Sequence, residues 1–221
     1  MYRLLDMDPI DVVTNGIAQN QTTAGAANLV LNGAQVVSGV WDIHAIPTTA
    51  YSDGIGGVRI AIDSAGDVSS VIFTVYGTDQ DGVTRTEAIT GVTTTAVNST
   101  TYWKTITRIA ASAAAGSNVF VGAINQIISS TIPLNWRDQY PAAFTVAALA
   151  GTVQYDLQQT LSPLNTDTDP STLIWYDAQA DKTANLAGEF TRYITACRVR
   201  WDSYSSGAEL QFQVRMQDYN T

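Results

Sequence analysis

The sequence has few of the residues from which reactive sites are built. Its 221 residues include one cysteine, Cys197, and one histidine, His44. A single cysteine excludes a disulfide or a cysteine-ligated zinc site within one chain, and a single histidine excludes a multi-histidine metal site. Cys197 lies inside an alternating strand pattern, which favours a buried structural thiol over a nucleophile. His44 stands in WDIHAIP, a strand-end context that does not suit a Ser-His-Asp triad.

Charge is also scarce. Charged residues make up 14% of the chain, against roughly 25% in a typical domain. The net charge of -9 predicts repulsion from phosphates, so we expect neither nucleic acid nor a membrane as a partner. No apolar run reaches the length of a transmembrane helix. The start, MYRLLDMDPIDVV, is acidic where a signal peptide is basic and apolar, so we expect no secretion by that route.

The chain is rich in patterns that are typical of β-strands. In Ser70–Val92, the β-branched runs Val71–Gly77 and Val83–Thr90 are joined by TDQDG. Asp-Gly tolerates the positive φ of a tight turn, so this stretch predicts a long β-hairpin. Strand patterns recur over Thr101–Ala110 and Thr152–Gln159.

The C-terminal part repeats the same alternation. Ile194–Trp201 and Ala208–Gln217 are predicted to form a last hairpin across DSYSSG, with Leu210 and Phe212 on its apolar face. Ala178–Glu189 is polar and contains alanine, and it is the one place where the sequence allows a helical turn.

Short strands with frequent turn signals predict an all-β fold. We expect two antiparallel β-sandwich domains of the jelly-roll or immunoglobulin type in tandem, with an extended N-terminal arm. The predicted boundaries are residues 1–21 for the arm, 22–126 for the first sandwich, 127–142 for a linker and 143–221 for the second sandwich.

Three groups of residues are candidates for contacts between subunits. Apolar residues of the arm have something to bury on a neighbour, although a frayed terminus explains the segment equally well. Linker aromatics can pack at a junction, and arginines on outward strand faces can dock an acidic neighbour or simply protect an edge. These candidates are Leu4, Leu5, Ile10, Val12, Val13, Trp136, Tyr140, Arg198, Arg200 and Arg215.

Two acidic stretches are candidates for calcium loops. Asp79 and Asp81 flank a glycine-containing turn, and Asn165, Asp167 and Asp169 form the second group. Neither has the glycine and distal glutamate of an EF-hand, and Asp and Asn are common in ordinary turns. We therefore predict no metal, no cofactor and no catalytic residue.

The order of these motifs resembles a group of small virion structural proteins of tailed bacteriophages, over residues 20–221. The motifs that carry the resemblance are NLVLNG (28–33), VIFTVYGTDQDGVTRTEAITG (71–91), TYWKTITRI (101–109), NVFVGA (118–123), GTVQYDLQQT (151–160), TACRVRW (195–201) and ELQFQVRMQ (209–217). The resemblance implies a non-enzymatic particle protein, made in the bacterial cytoplasm. Its position, at the head–tail collar or neck, in the tail or on the capsid as decoration, stays open. The implied partners are copies of itself and other virion proteins: the portal or adaptor, tail or major capsid protein.

Two other functions compete with this expectation. Aromatic side chains on a sandwich can stack on sugar rings, which favours a carbohydrate-binding or host-attachment module; the candidates are Tyr51, Trp175, Tyr176 and Tyr204. The third class, a hydrolase, has only His44 and scattered carboxylates to draw on.

Overall fold

The computed structural model describes residues 2–9, 11–46, 51–134, 142–164, 169–190 and 194–216. The described chain is all-β with antiparallel pairing, and its only helical element is a 3-10 turn at Pro170–Thr172. The strands, in chain order, are β1 Tyr2–Met7, β2 Ala18–Gln21, β3 Ala27–Asn28, β4 Val36–Val37, β5 Val40–Asp42, β6 Ile55–Ser64, β7 Ile72–Asp79, β8 Thr84–Thr90, β9 Val97–Asn98, β10 Trp103–Ala111, β11 Val119–Ser129, β12 Ile132–Pro133, β13 Ala143–Ala150, β14 Val153–Thr160, β15 Trp175–Lys182, β16 Leu186–Glu189, β17 Ala196–Tyr204 and β18 Glu209–Arg215.

The strands fall into two compact units. The terminal unit contains residues 1–9, 52–55 and 126–221, and the central unit contains residues 10–51 and 56–125. The units differ from the predicted domains because residues 1–9 belong with the C-terminal strands and residues 10–21 belong with the central ones.

The central unit is organised around β10, which pairs with β3, β5, β6 and β7. The predicted hairpin is confirmed as β7 and β8, which pair from Ile72↔Thr90 to Thr78↔Thr84. Gly82 takes a φ of 80° in its turn, as the Asp-Gly signal predicted. The interior contains Trp41, Phe73 and Trp103, each with no exposed surface.

The terminal unit contains two groups of paired strands. One is a four-stranded sheet in the order β1-β18-β13-β16. In the other, β14 lies between β15 and β17, and β17 pairs in turn with β12 and with the end of β11. Alternate residues of β17 and β18 are buried, among them Val199 and Trp201 in β17 and Leu210 and Phe212 in β18. This alternation is typical of sheets that bury one face.

The predicted last hairpin is wrong, although both of its strands exist. β17 pairs with β14, whereas β18 pairs with β1 and β13, so the chain changes sheets between them. The chain makes a similar change of sheet between β13 and β14. Gly151 and Gly207, with φ of 62° and 67°, lie in the two connections. Alternation predicts a strand and its faces, but it does not identify the partner strand.

Three other expectations also differ from the structure. Tyr2–Met7 is strand β1 of the terminal unit, where an extended arm was predicted. The start of the predicted linker is the end of β11, followed by β12. Ala178–Glu189, where a helical turn was allowed, lies in β15 and β16 because both segments complete the edges of sheets.

Candidate functional site

The candidate contact residues of the N-terminus lie on and after strand β1. Leu4 is exposed and Leu5 is half-buried, on the edge strand of the four-stranded sheet. In the central unit, Val12 is exposed and Val13 is half-buried. Ile10 lies outside the described residues, as do the linker candidates Trp136 and Tyr140. The part that these side chains play in contacts between subunits stays a prediction.

The backbone of β1 has one side directed away from β18. The Asp6 carbonyl accepts a hydrogen bond from Ser52 Oγ at 2.7 Å, and Asp8 both donates to Ser52 Oγ at 2.8 Å and accepts from the Ser52 amide at 3.3 Å. In an antiparallel strand, every second residue directs its backbone groups to the same side. Leu4 has the parity of Asp6, so its N–H and C=O also point away from β18.

This side of β1 borders a cleft of about 510 Å³, lined by residues 3–6, 52–54 and 130–132. Gly54 closes one end against the strand. A Cβ at Gly54 would lie 2.1 Å from the Asp6 carbonyl oxygen, so only glycine permits this approach. The cleft thus combines a strand edge, apolar Leu4 and Leu5, and polar groups.

The three arginines that the sequence placed on outward faces do not form one stripe. Arg215 is exposed on β18, opposite Tyr2 and Ala143, in the four-stranded sheet. Arg198 and Arg200 lie on β17, in the other group of strands. Arg215 is therefore apart from Arg198 and Arg200, because β17 and β18 do not pair among the described strands.

Arg198 and Arg200 are held by neighbouring strands of the same unit. Arg198 Nε donates to Gln158 Oε1 at 2.7 Å, and its guanidinium lies 3.9 Å from the centroid of the Trp175 ring. Gln158 Nε2 in turn donates to Asp177 Oδ1 at 2.9 Å. Gln158 is opposite both Arg198 and Asp177 in register, so these contacts are cross-strand pairs on one face.

Two residues further along β17, Arg200 contacts two carboxylates, and a third lies close to them. Its guanidinium binds Asp156, which is almost fully buried, and its Nε donates to Asp202 at 3.2 Å. The backbone amide of Asp181 donates to Asp156 at 2.8 Å. The carboxylate oxygens of Asp156, Asp181 and Asp202 lie within 4.8 Å of one another. Arg200 supplies the positive charge that a bound cation would otherwise supply, so we interpret the arrangement as an ion-pair cluster.

The cluster perturbs one of its members. Burial, together with the charge and hydrogen bond of Asp156, raises the pKa of Asp202 above its ordinary value of 3.8, although Arg200 acts in the opposite direction. A raised folded-state pKa means that the native protein binds this proton more tightly than the unfolded chain. The resulting stability is complete below pH 3.8 and is lost as the pH rises through the folded-state pKa.

We therefore expect Asp202→Asn to stabilise the protein at neutral pH. The gain in unfolding free energy at pH 7 should be below about 1 kcal/mol, since Asp202 is partly solvated and keeps Arg200 nearby. The gain should disappear below pH 3.8, where the native carboxyl is protonated. Urea denaturation from pH 3 to pH 8 measures this; a variant that is less stable than the wild type at pH 7 contradicts it.

Asp67 provides a control, because its pKa is shifted in the opposite direction to that of Asp202. Its Oδ1 accepts from the Ser69 amide and from Thr93 Oγ1, both at 2.9 Å, and these bonds lower its pKa. The stability from Asp67 is present above its ordinary pKa and is lost as the pH falls. Asp67→Asn should therefore destabilise at neutral pH, where Asp202→Asn stabilises.

The four aromatic candidates for sugar stacking are dispersed. Tyr51 is buried in the central unit, and Trp175 is covered on one face by Arg198. Tyr176 is exposed on β15. Tyr204, at the end of β17, packs against Trp201 with ring centroids 5.7 Å apart and an interplanar angle of 74°.

His44 is half-buried and follows β5, and Cys197 lies in β17. His44 Nδ1 lies 3.2 Å from the Tyr51 carbonyl oxygen, and the Asp42 carboxylate accepts from the His44 amide. Cys197 is fully buried, and burial raises the pKa of its thiol, so the thiolate is disfavoured.

Of the acidic loops, Asp79 binds its own turn. It accepts from the amides of Asp81 and Val83 at 3.0 and 2.9 Å and pairs with Arg85 at 2.7 Å. Asp169 caps the 3-10 turn by accepting from Ser171 N, and Asn165 and Asp167 lie outside the described residues.

Sequence reasoning missed the carboxylate cluster. Asp156 lies within the predicted strand Thr152–Gln159, and Asp202 begins the predicted connection DSYSSG, so no local pattern joined the two residues. The available signal was spacing: Gln154-Asp156-Gln158 and Arg198-Arg200-Asp202 both alternate at i, i+2, as two facing polar ladders would.

Comparison of the chain with family models, with curated proteins and with solved structures finds no match. No helix in the described ranges is long and apolar enough to cross a membrane.

Proposed function

We propose that the protein is a non-enzymatic structural component of a tailed-phage virion. It assembles through protein–protein contacts at the head–tail collar or neck, in the tail, or on the capsid as decoration. Its two units are tandem β-sandwich modules of the jelly-roll or immunoglobulin type. The motifs of the resemblance support the phage assignment, and the all-β architecture is compatible with it.

The observation that carries the proposal is the edge of β1. Leu4 is 39% exposed and Tyr2 is 58% exposed, on a strand whose other edge alone is paired within the described residues. Soluble proteins usually protect such edges, because they accept strands from other chains. Ser52 binds the Asp6–Asp8 part of this edge, which leaves the part at Leu4. The outward backbone groups of Leu4, beside the exposed side chains of Tyr2 and Leu4, suit addition of a strand from a neighbouring subunit.

The occupant that we propose is an extended segment of another copy of this chain. A repeated subunit needs contacts that tolerate a net charge of -9, since like-charged copies repel. Main-chain hydrogen bonds and the apolar surface of Tyr2 and Leu4 are independent of charge. Symmetry then multiplies one modest contact over the whole assembly.

The engagement of polar groups within the units also supports a structural role. Asp79, Asp156 and His44 each hold neighbouring backbone or side chains in place. Buried, satisfied polar groups stabilise one conformation of a subunit. A particle protein needs such a fixed conformation to present the same surface in every copy.

A pair of proline variants tests the edge of β1. Leu4→Pro removes an N–H that points away from β18, so it should leave unfolding within about 1 kcal/mol of the wild type. It should weaken self-association at least tenfold, since the incoming strand loses its donor. Leu5→Pro, at the position opposite Phe212, removes a donor to β18 and should cost about 2 kcal/mol.

Sedimentation velocity measures the association, and complementation of a deletion phage measures incorporation into particles. If Leu4→Pro self-associates as strongly as the wild type, the edge of β1 is excluded as the contact between subunits. Cryo-EM of intact particles tests the wider proposal: copies in a ring indicate collar or tail, and copies over the shell indicate decoration. Absence of the protein from purified particles would refute a virion role.

A further inference from the structure

A second cleft of the terminal unit lies where β14 begins and β17 ends. It has a volume of about 610 Å³ and is lined mainly by Thr152, Gln154, Thr183, Ser203, Tyr204 and Ser205. A volume of this order is within the range of small-molecule sites. Every residue of this lining belongs to the described part of the chain, and none carries a formal charge.

The lining offers hydroxyl and amide groups in fixed positions. Thr152 N–H donates to Ser205 Oγ at 2.9 Å, and Ser205 N–H donates to the Thr152 carbonyl at 2.9 Å, which joins the two strands at the cleft. Gln154 Nε2 donates to Asp181 Oδ1 at 2.8 Å, which fixes its amide plane and leaves Oε1 as an acceptor. Uncharged donors and acceptors of this kind match a ligand that carries many hydroxyl groups.

Tyr204 adds an aromatic surface to the polar lining. Its ring is held edge-on against Trp201, which has no exposed surface, so the orientation of the Tyr204 ring is set by the core. The face of an aromatic ring is electron-rich and attracts weakly positive C–H groups. One face of a pyranose ring presents such C–H groups, while its edges present hydroxyls.

The charge beside the cleft selects among such ligands. Gln154 links the lining to Asp181, and Ser203 follows Asp202 in sequence. Three carboxylates stand there against the guanidinium of Arg200, and Lys182, which precedes Thr183, adds a second cation, so the local charge stays negative. The resulting negative field disfavours phosphorylated, sulfated and sialylated ligands.

We propose that this cleft binds a neutral saccharide, with Tyr204 as the stacking surface and Gln154 and Ser203 as hydrogen-bonding groups. The site is separate from the edge of β1, so it does not depend on the proposed assembly. It gives a subunit on a particle a means of holding a neutral surface glycan.

The test uses the full chain on an array of neutral hexose and N-acetylhexosamine oligosaccharides, with sialylated and sulfated glycans on the same array. Binding to neutral glycans, at least tenfold above the acidic ones, is expected. Titration of the strongest neutral hit, followed by NMR, should shift the amide resonances of Thr183 and Tyr204. Failure of the folded chain to bind neutral glycans, or a preference for acidic ones, would overturn the proposal.

Variants connect binding to this cleft. Tyr204→Phe keeps the ring and should bind within threefold of the wild type, whereas Tyr204→Ala should bind at least tenfold more weakly. Because Tyr204→Ala also loses packing on Trp201, Thr183→Trp provides a second route: Thr183 is exposed, and a large side chain there fills the cleft. Tyr176→Ala, on exposed β15, is the control and should bind normally. Unchanged binding by both Tyr204→Ala and Thr183→Trp places the glycan elsewhere and refutes the proposal.

Discussion

Gly77→Ala should destabilise the central unit by about 3 kcal/mol, a large effect for a single methyl group. Gly77 lies in the middle of β7, opposite Ile106 of β10 and Arg85 of β8. A Cβ there would lie 1.9 Å from the Thr105 carbonyl oxygen and 3.1 Å from the Ile106 Cα. All the nearest atoms are backbone, so no side-chain rotation relieves the overlap.

The strain cannot be relieved by sliding the strands. The β7–β10 register shifts on both sides of this point, between Trp103 and Thr105 and between Ile106 and Arg108. β10 is therefore already irregular where it approaches Gly77, and it pairs with other strands beyond that region. An added methyl group must separate β7 from β10, which breaks ladder hydrogen bonds and opens the buried surface around Trp103.

Gly116→Ala is the matched control within the same unit. A Cβ at Gly116 meets nothing within 4 Å, and no positive φ is recorded there, so the change should stay within about 0.5 kcal/mol. Hydrogen-exchange mass spectrometry at increasing urea separates the two units. Gly77→Ala should lose protection in the central unit first. Protection equal to that of Gly116→Ala would contradict the close approach of β7 and β10.

Gly77 also shows what the sequence does and does not predict about these strands. The alternation and Asp-Gly turn of the hairpin are local, so β7 and β8 could be predicted from their own residues. The predicted first run, Val71–Gly77, includes this glycine, and β7 continues past it to Asp79. The reason for a glycine at this position is the approach of β10, roughly 30 residues away in sequence, and no local pattern contains it.

The difference between local patterns and contacts of residues far apart in sequence also explains the errors in the terminal unit. Leu210, Phe212 and Val214 were correctly placed on one buried face, because a period of two is a local property. The partner of that strand was wrong, since pairing with β1 joins residues about 200 positions apart. β1 itself is short and contains Asp6, which weakens the strand pattern in its sequence. In the structure, Gln211 Nε2 donates a hydrogen bond to the Asp6 carboxylate, so the charge is accommodated on the sheet.

The cluster around Arg200 was unpredictable for a related reason. Its members come from β14, β15 and β17, and the sequence had β17 in a hairpin with β18. Correct pairing of β14 with β17 places Asp156 opposite Arg200. Opposite charges at opposite positions would then have predicted the ion pair before any coordinates.

Asp156→Ala should destabilise the terminal unit by about 3 kcal/mol, since removing one partner leaves the other charge partly desolvated. Asp156 has 4% of its side chain exposed, and Arg200 has 31%. The change deletes the ion pair with Arg200 and also the acceptor of the Asp181 amide. Asp156→Asn keeps a polar acceptor of similar size and should cost about half as much, which separates the loss of charge from the loss of hydrogen bonds.

The double variant Asp156→Leu/Arg200→Met decides what the pair contributes. A buried ion pair often contributes little net stability, because desolvation of both charges offsets their attraction. Removing both charges should therefore recover at least half of the loss seen in Asp156→Leu. Urea denaturation at 0.05 and 0.5 M salt measures the wild type, Asp156→Leu, Arg200→Met and the double variant, and the loss in Asp156→Leu should change little with salt, since buried charges are weakly screened. Additive losses in the double variant would show that Asp156 acts through its bond to the Asp181 amide and not through Arg200.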